Sequence, residues 1–120
     1  DRGIGAAIAG NRVGDISYAI QDYCERKRFQ VSRDYVGHGI GRVLHGDPQV
    51  PNYGPPKSGP LLKVGDCLAI EPVVFDGKTN TVLQKDGWTI VSPENIISAH
   101  FEDTIIITSK GPEIITRLKE

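Results

Sequence analysis

Cys67-Leu68-Ala69-Ile70-Glu71-Pro72-Val73-Val74-Phe75 is an almost continuous apolar run, broken only by Glu71-Pro72. A short run of this kind, rich in branched side chains, reads as a largely buried strand. Proline donates no ladder hydrogen bond, so the strand must bulge or lie at an edge at Pro72. Glu71 in such surroundings has to be ion-paired, protonated or bound to a cation. The same choice recurs downstream, where Ser98 to Thr108 carries Ala99-His100-Phe101-Glu102-Asp103-Thr104-Ile105-Ile106-Ile107 and places Glu102 in a second apolar strand. Taken singly, either glutamate reads equally well as half of a core ion pair or as an outward-facing strand residue.

Between these two runs, Thr81 to Gln84 and Thr89 to Val91 flank Lys85-Asp86-Gly87-Trp88 and predict a hairpin with Asp-Gly as its turn signal. Beyond Gly111-Pro112, Glu113 to Leu118 reads as a last short strand. Upstream, Asp47 to Pro60 holds five prolines with Gly54 and Gly59, which predicts a stiff surface loop with no sheet or helix interior. Residues 42–45 read as briefly extended. Phe29, Val31 and Tyr35 alternate with polar residues and predict a strand at about 31–36. Val13, Ile16, Ala19, Ile20, Tyr23 and Cys24 recur at helical spacing, with Asp15 in the first turn and Arg26-Lys27-Arg28 in the last, which predicts an amphipathic helix over 14–28. Asp1 to Ala9 reads as the tail of another helix, closed by a left-handed cap at Gly10-Asn11. The sum is an α+β domain: mostly antiparallel strands with helices packed on one face.

A chain of 120 residues makes one domain, and its formal charge of −1 comes from 14 basic and 15 acidic residues spread along it. A nucleic-acid surface would need a basic stripe, and the single Arg-Lys-Arg cluster reads as a solvated helix end. Cys24 and Cys67 show no metal or redox spacing, so two reduced thiols in a cytoplasmic protein are expected. No apolar run is long enough for a membrane span. The chain contains no methionine and starts at Asp1, which reads as a piece of something longer.

Two of the three histidines lie in Gly37-His38-Gly39-Ile40-Gly41-Arg42-Val43-Leu44-His45. The glycines around His38 suggest a tight turn that presents the ring at the end of a strand, with His45 one short step away. As an isolated pair they read equally well as surface histidines beside a turn. Joined to Glu71 and Glu102, His38 completes a carboxylate-rich set with one imidazole, a donor set that suits Mn, Fe or Co better than a thiolate-type zinc site.

These residues, with Asp47-Pro48, Val50-Pro51-Asn52-Tyr53, Ile70-Glu71-Pro72, Asp86-Gly87-Trp88-Thr89 and Phe101-Glu102-Asp103-Thr104, follow the pattern of type I methionine aminopeptidases. The chain resembles the C-terminal half of that family's curved pita-bread fold across essentially all its residues, with the N-terminal half absent. The resemblance implies two divalent metal ions (Co, Mn, Fe, Zn or Ni) in the complete enzyme. His38 and Glu71 then ligate one ion, and Glu102 bridges both. It further implies that His45 hydrogen-bonds the substrate and stabilises the oxyanion, and that Trp88 walls the methionine pocket. The chemistry implied is the family's, a metal-bridging hydroxide attacking the first peptide carbonyl, with Glu71 as the glutamate that passes the proton to the leaving amine. The substrates implied are the N-termini of nascent polypeptides, the ribosome is a candidate partner, and the complete protein is expected to be a cytoplasmic monomer without membrane or direct nucleic-acid contacts. The family's two aspartate ligands and a further histidine near the substrate belong to the other half, so the chain alone is expected to be inactive.

Val73 stands where methionine usually follows Glu-Pro in this family, Leu44 where some members have a pocket aromatic, and Asp103 where many have histidine. Two other readings carry different expectations. One is a noncatalytic pita-bread module that binds protein or RNA, which has no need to retain His38, His45, Glu71 and Glu102. The other is a related Xaa-Pro metallopeptidase, whose motif continues Glu-Pro-Gly where this chain has Val73.

Overall fold

The computed structural model describes residues 1–92 and 96–119. Among these residues two helices, α1 (Arg2–Ala6) and α2 (Val13–Arg26), precede ten short strands. These are β1 (Gln30–Val31), β2 (Gly37–Gly39), β3 (Gly46–Val50), β4 (Cys67–Ile70), β5 (Val73–Phe75), β6 (Val82–Leu83), β7 (Ile90–Val91), β8 (Ser98–His100), β9 (Asp103–Thr108) and β10 (Gly111–Ile114). They form a five-stranded sheet in the order β10-β9-β4-β2-β3, a three-stranded sheet β1-β5-β8 and the two-stranded hairpin β6-β7. Every pairing is antiparallel.

Helix α2 forms because Val13, Ile16 and Ile20 fall on one face, and that face is buried on the five-stranded sheet against Val50, Leu62, Leu68, Ile70, Ile105 and Ile107. Its first turn is closed by Asp15, whose carboxylate accepts from the backbone N–H of Arg12 at 2.7 Å and of Lys57 at 2.9 Å. Those two N–H groups, Arg12's foremost, hold the Asp15 carboxyl below its ordinary pKa. The helix ends two residues earlier than its periodicity predicts, because Arg28 adopts φ 66°. The N–H of Arg28 then donates to Glu25 O and that of Phe29 to Cys24 O, both at 2.9 Å, the bonding of a Schellman cap. The short helix α1 ends at Ala6, and Gly10, at φ 93°, lies in the turn beyond it and does not cap it.

The two apolar runs that predict single strands are each split in two. β4 belongs to the five-stranded sheet and β5 to the three-stranded one, with Glu71-Pro72 as the crossing; β8 and β9 make the return crossing at Phe101-Glu102. Pro72 thus marks neither a bulge nor an edge but the place where the chain leaves one sheet for another. Its carbonyl still accepts from Phe101 N–H at 3.2 Å, so the two crossings stay side by side.

Several boundaries differ from the sequence expectation. The predicted strand at 31–36 is reduced to β1, and His38 sits within a buried strand instead of a turn. Residues 41–45 bend where an extended segment is expected. Pro48 lies inside β3, which the proline count argues against; β3 is an edge strand, where a missing donor costs no ladder bond. The last strand is Gly111–Ile114, not 113–118, because β10 pairs with β9 directly across the turn at Ser109-Lys110. The predicted hairpin is present as β6-β7, and its turn is tightened by Asp86, whose carboxylate accepts from the N–H groups of Trp88 and Thr89. Both cysteines are free thiols, and burial pushes that of Cys24 up. Among the described residues no helix is long and apolar enough to cross a membrane.

Candidate metal centre

Register builds this site. β4 pairs with β9 so that Ile70 faces Asp103, and β5 pairs with β8 so that Val73 faces His100. The same register runs unchanged through both crossings and sets Glu71 directly across from Glu102. Like charges opposed on neighbouring strands repel each other unless something neutralises them. From the other side β2 pairs His38 with Ala69, two residues from Glu71 and on the same face of the sheet.

The glycines flanking His38 are there for close approach. Neither has a positive φ. A Cβ on Gly37 would collide with the carbonyl oxygen of Ala69, and one on Gly39 with that of Asp47. Two strands can therefore press against β2 from both sides, which brings His38 to the glutamates. One ligand atom each from His38, Glu71 and Glu102 lies within 4.8 Å of the others, from a buried, a half-buried and an exposed side chain respectively.

The polar contacts of the set fit a cation. His38 Nδ1 stands 2.9 Å from its neighbour's carbonyl, Gly39 O, an acceptor that fixes the proton on Nδ1. Nε2 is left to face Glu71 Oε1, 3.1 Å away. One imidazole nitrogen beside two carboxylates is a donor set for a cation that takes two oxygens and a nitrogen.

Not every expected residue joins the cluster. His45 is exposed, but its ring packs against His38 with centroids 4.4 Å apart at an interplanar angle of 58°. Trp88 stands at the tip of the β6-β7 hairpin, 87% exposed. It does not line the cavity of about 300 Å³ beside Glu71, whose walls include Tyr35, Val73, Phe75, Ile90 and His100. A roomier cavity of about 440 Å³, around Ser32 and Lys78, touches none of the cluster. Asp103 faces away from this chemistry: it is held by Arg117 and Thr116, and the Arg117 hydrogen bond above all keeps its carboxyl below the ordinary range.

Sequence reasoning missed His100. Its Nε2 lies 3.4 Å from Glu71 Oε2, on the side away from His38. The signal was present in the spacing, since a residue two before Glu102 in an extended run shares its face and meets the residue opposite Glu102 diagonally.

Comparisons with known proteins place this geometry in a family. The model for metallopeptidase family M24 matches residues 1–109. The methionine aminopeptidase of Clostridium perfringens is 50% identical over 98% of this chain, and methionine aminopeptidase 1 of Bacillus subtilis is likewise 50% identical over 98%. The chain spans about half the length of these relatives, 47% of each. The crystal structure of methionine aminopeptidase from Thermotoga maritima superposes with a TM-score of 0.93 at 50% identity, over 97% of this chain and 47% of that one. The X-Pro aminopeptidase of the same organism shares the fold alone, with a TM-score of 0.65 at 20% identity over 98% of this chain and 28% of that one. With antiparallel sheets meeting at a line of opposed glutamates, and the family model matching residues 1–109, the chain belongs to metallopeptidase family M24 and has about half of the pita-bread fold.

Proposed function

We propose that this chain is the C-terminal half of the catalytic domain of a methionyl aminopeptidase, which removes the first methionine from newly made proteins. The observation that carries this reading is the convergence of His38, Glu71 and Glu102 at the line where the two sheets meet, with the His45 ring packed against His38. Relatives named methionine aminopeptidase, at about half identity, support the substrate class.

In this reading His38 Nε2 and the carboxylates of Glu71 and Glu102 are the groups that would hold divalent metal. Such ions activate water and polarise the peptide carbonyl. The chain's own residues do the rest. Glu71, half-buried between two histidines, receives a proton on a carboxylate oxygen and delivers it to the departing amine. His45, exposed beside the cluster, donates a hydrogen bond to the oxyanion. The apolar cavity lined by Tyr35, Val73, Phe75 and Ile90 takes up the unbranched methionine side chain, with Trp88 closing over it in the complete protein. Substrates are the N-termini of nascent chains, which places the protein in the cytoplasm near the ribosome.

The test is to load the complete protein with Mn²⁺ or Co²⁺ and offer it Met-Ala-Ser and Ala-Pro-Ala. Methionine is expected to be released from the first peptide while the second stays intact, and residues 1–120 alone are expected to cleave neither. Cleavage of Ala-Pro-Ala only would make the protein an Xaa-Pro peptidase, and cleavage of neither by the complete protein would favour a binding module. Full turnover by residues 1–120 alone would overturn the reading of this chain as half of a two-metal enzyme.

A further inference from the structure

Glu71 is gripped from two sides. Oε1 faces His38 Nε2 at 3.1 Å, and Oε2 faces His100 Nε2 at 3.4 Å. The three residues come from three different strand environments. His38 is on β2 in the five-stranded sheet, His100 is on β8 in the three-stranded sheet, and Glu71 lies in the crossing between the sheets. A carboxylate in such a crossing lacks the regular ladder that would hold its backbone, so its orientation has to be fixed through its side chain. His100 is well placed to do this because its own backbone is anchored: β8 pairs it with Val73, two residues beyond Glu71. It does not belong to the group whose ligand atoms lie mutually within 4.8 Å, which consists of His38, Glu71 and Glu102. Its side chain is about half exposed and borders the cavity beside Glu71.

We propose that His100 is a positioning residue for Glu71: its Nε2–H donates to Oε2 and thereby turns Oε1 toward His38 and the cation. The inference rests on the metal-site reading above. A donor on the outer oxygen of a ligating carboxylate restricts its rotation and selects the oxygen presented inward, and removing such a partner weakens metal binding by about 10- to 100-fold. Without His100, Glu71 can rotate toward the cavity and the mutual repulsion with Glu102 is relieved by swinging apart instead of by binding a cation. The role requires a hydrogen-bond donor at this position, not an imidazole as such. A glutamine amide reaches about as far from the backbone and also donates.

The experiment measures Mn²⁺ affinity by titration calorimetry, at one fixed pH, on the complete protein and on its His100→Ala, His100→Gln and Glu71→Ala variants. His100→Ala is expected to bind about 10-fold more weakly, near the low end of the range because the contact is long and half-exposed. His100→Gln is expected to restore most of that loss, and Glu71→Ala to bind far more weakly than either. Wild-type affinity in His100→Ala overturns the proposal, as does a His100→Gln variant no better than His100→Ala, which would make the ring's bulk the operative feature. Failure of the wild-type protein to bind Mn²⁺, or wild-type affinity in Glu71→Ala, would overturn the metal-site reading itself and this inference with it.

Discussion

At the scale of single residues, the histidines have different surroundings and hence different expected roles. His38 is buried, with Nδ1 against Gly39 O and Nε2 against Glu71, whereas His45 is exposed and packs against the His38 ring. A ligand and a substrate-facing donor should fail in distinguishable ways. Replacing His45 by Ala in the complete protein is expected to lower kcat by about 10- to 1,000-fold, the scale of losing one oxyanion donor, with metal content unchanged. Steady-state kinetics beside metal analysis checks this. Loss of metal in that variant would make His45 a ligand and refute the role proposed for it. The adjoining glycines show how far residue type alone carries the argument. Their spacing around His38 suggests a turn, because glycine commonly serves positive φ. Here it serves packing, since the carbonyls of Ala69 and Asp47 occupy the space that side chains would need.

At the scale of elements, the end of α2 shows a local rule overridden. Its capping bonds require a left-handed residue, and Arg28 supplies it at φ 66°, where glycine would cost far less. Left-handed backbone costs a side chain about 1 kcal/mol, partly offset by the freedom that glycine gains in the unfolded chain. Arg28→Gly is therefore expected to raise stability by about 0.5 kcal/mol, read from the midpoint of chemical denaturation, and a drop in stability would mean that the arginine side chain makes a compensating contact. The periodicity of Val13, Ile16 and Ile20 was sufficient to find the helix and its buried face. Where the helix stops was not legible, because the cap is made by a residue with no compositional signal for it.

At the scale of the whole molecule, the two ends of the sequence are joined through Arg117. Its guanidinium donates to Asp103 Oδ2 on β9, at 3.0 Å from Nε and 2.6 Å from Nη2, and Nη2 also donates to Asp1 Oδ1 at 2.8 Å. Asp103 has its carboxyl pKa lowered chiefly by that hydrogen bond. A depressed carboxylate contributes stability that is present above its unfolded pKa, near 3.9, and is lost as pH falls through the folded value. Arg117 is half exposed, so solvent screening limits the contribution to about 1 kcal/mol. Arg117→Met in the complete protein is expected to be less stable by that amount at pH 7, with the gap closing below about pH 4. Urea denaturation at pH 7 and pH 3 measures it, and a gap of equal size at both would show that the loss is one of packing.

The sequence by itself determined the class of the fold, the amphipathic helix and the hairpin, and it offered His38, Glu71 and Glu102 as a donor set whose roles the family resemblance implied. The elements follow from periodicities of about 3.6 and 2 and from turn chemistry, which act over a few neighbours. Only the tertiary structure decided that the two apolar runs break at the same line, that Glu71 faces Glu102 across it, and that His100 stands behind Glu71. Those facts depend on register between strands separated by some thirty residues and on the line where two sheets meet. Such pairings are set by the packing of the whole core, and no window of sequence contains them.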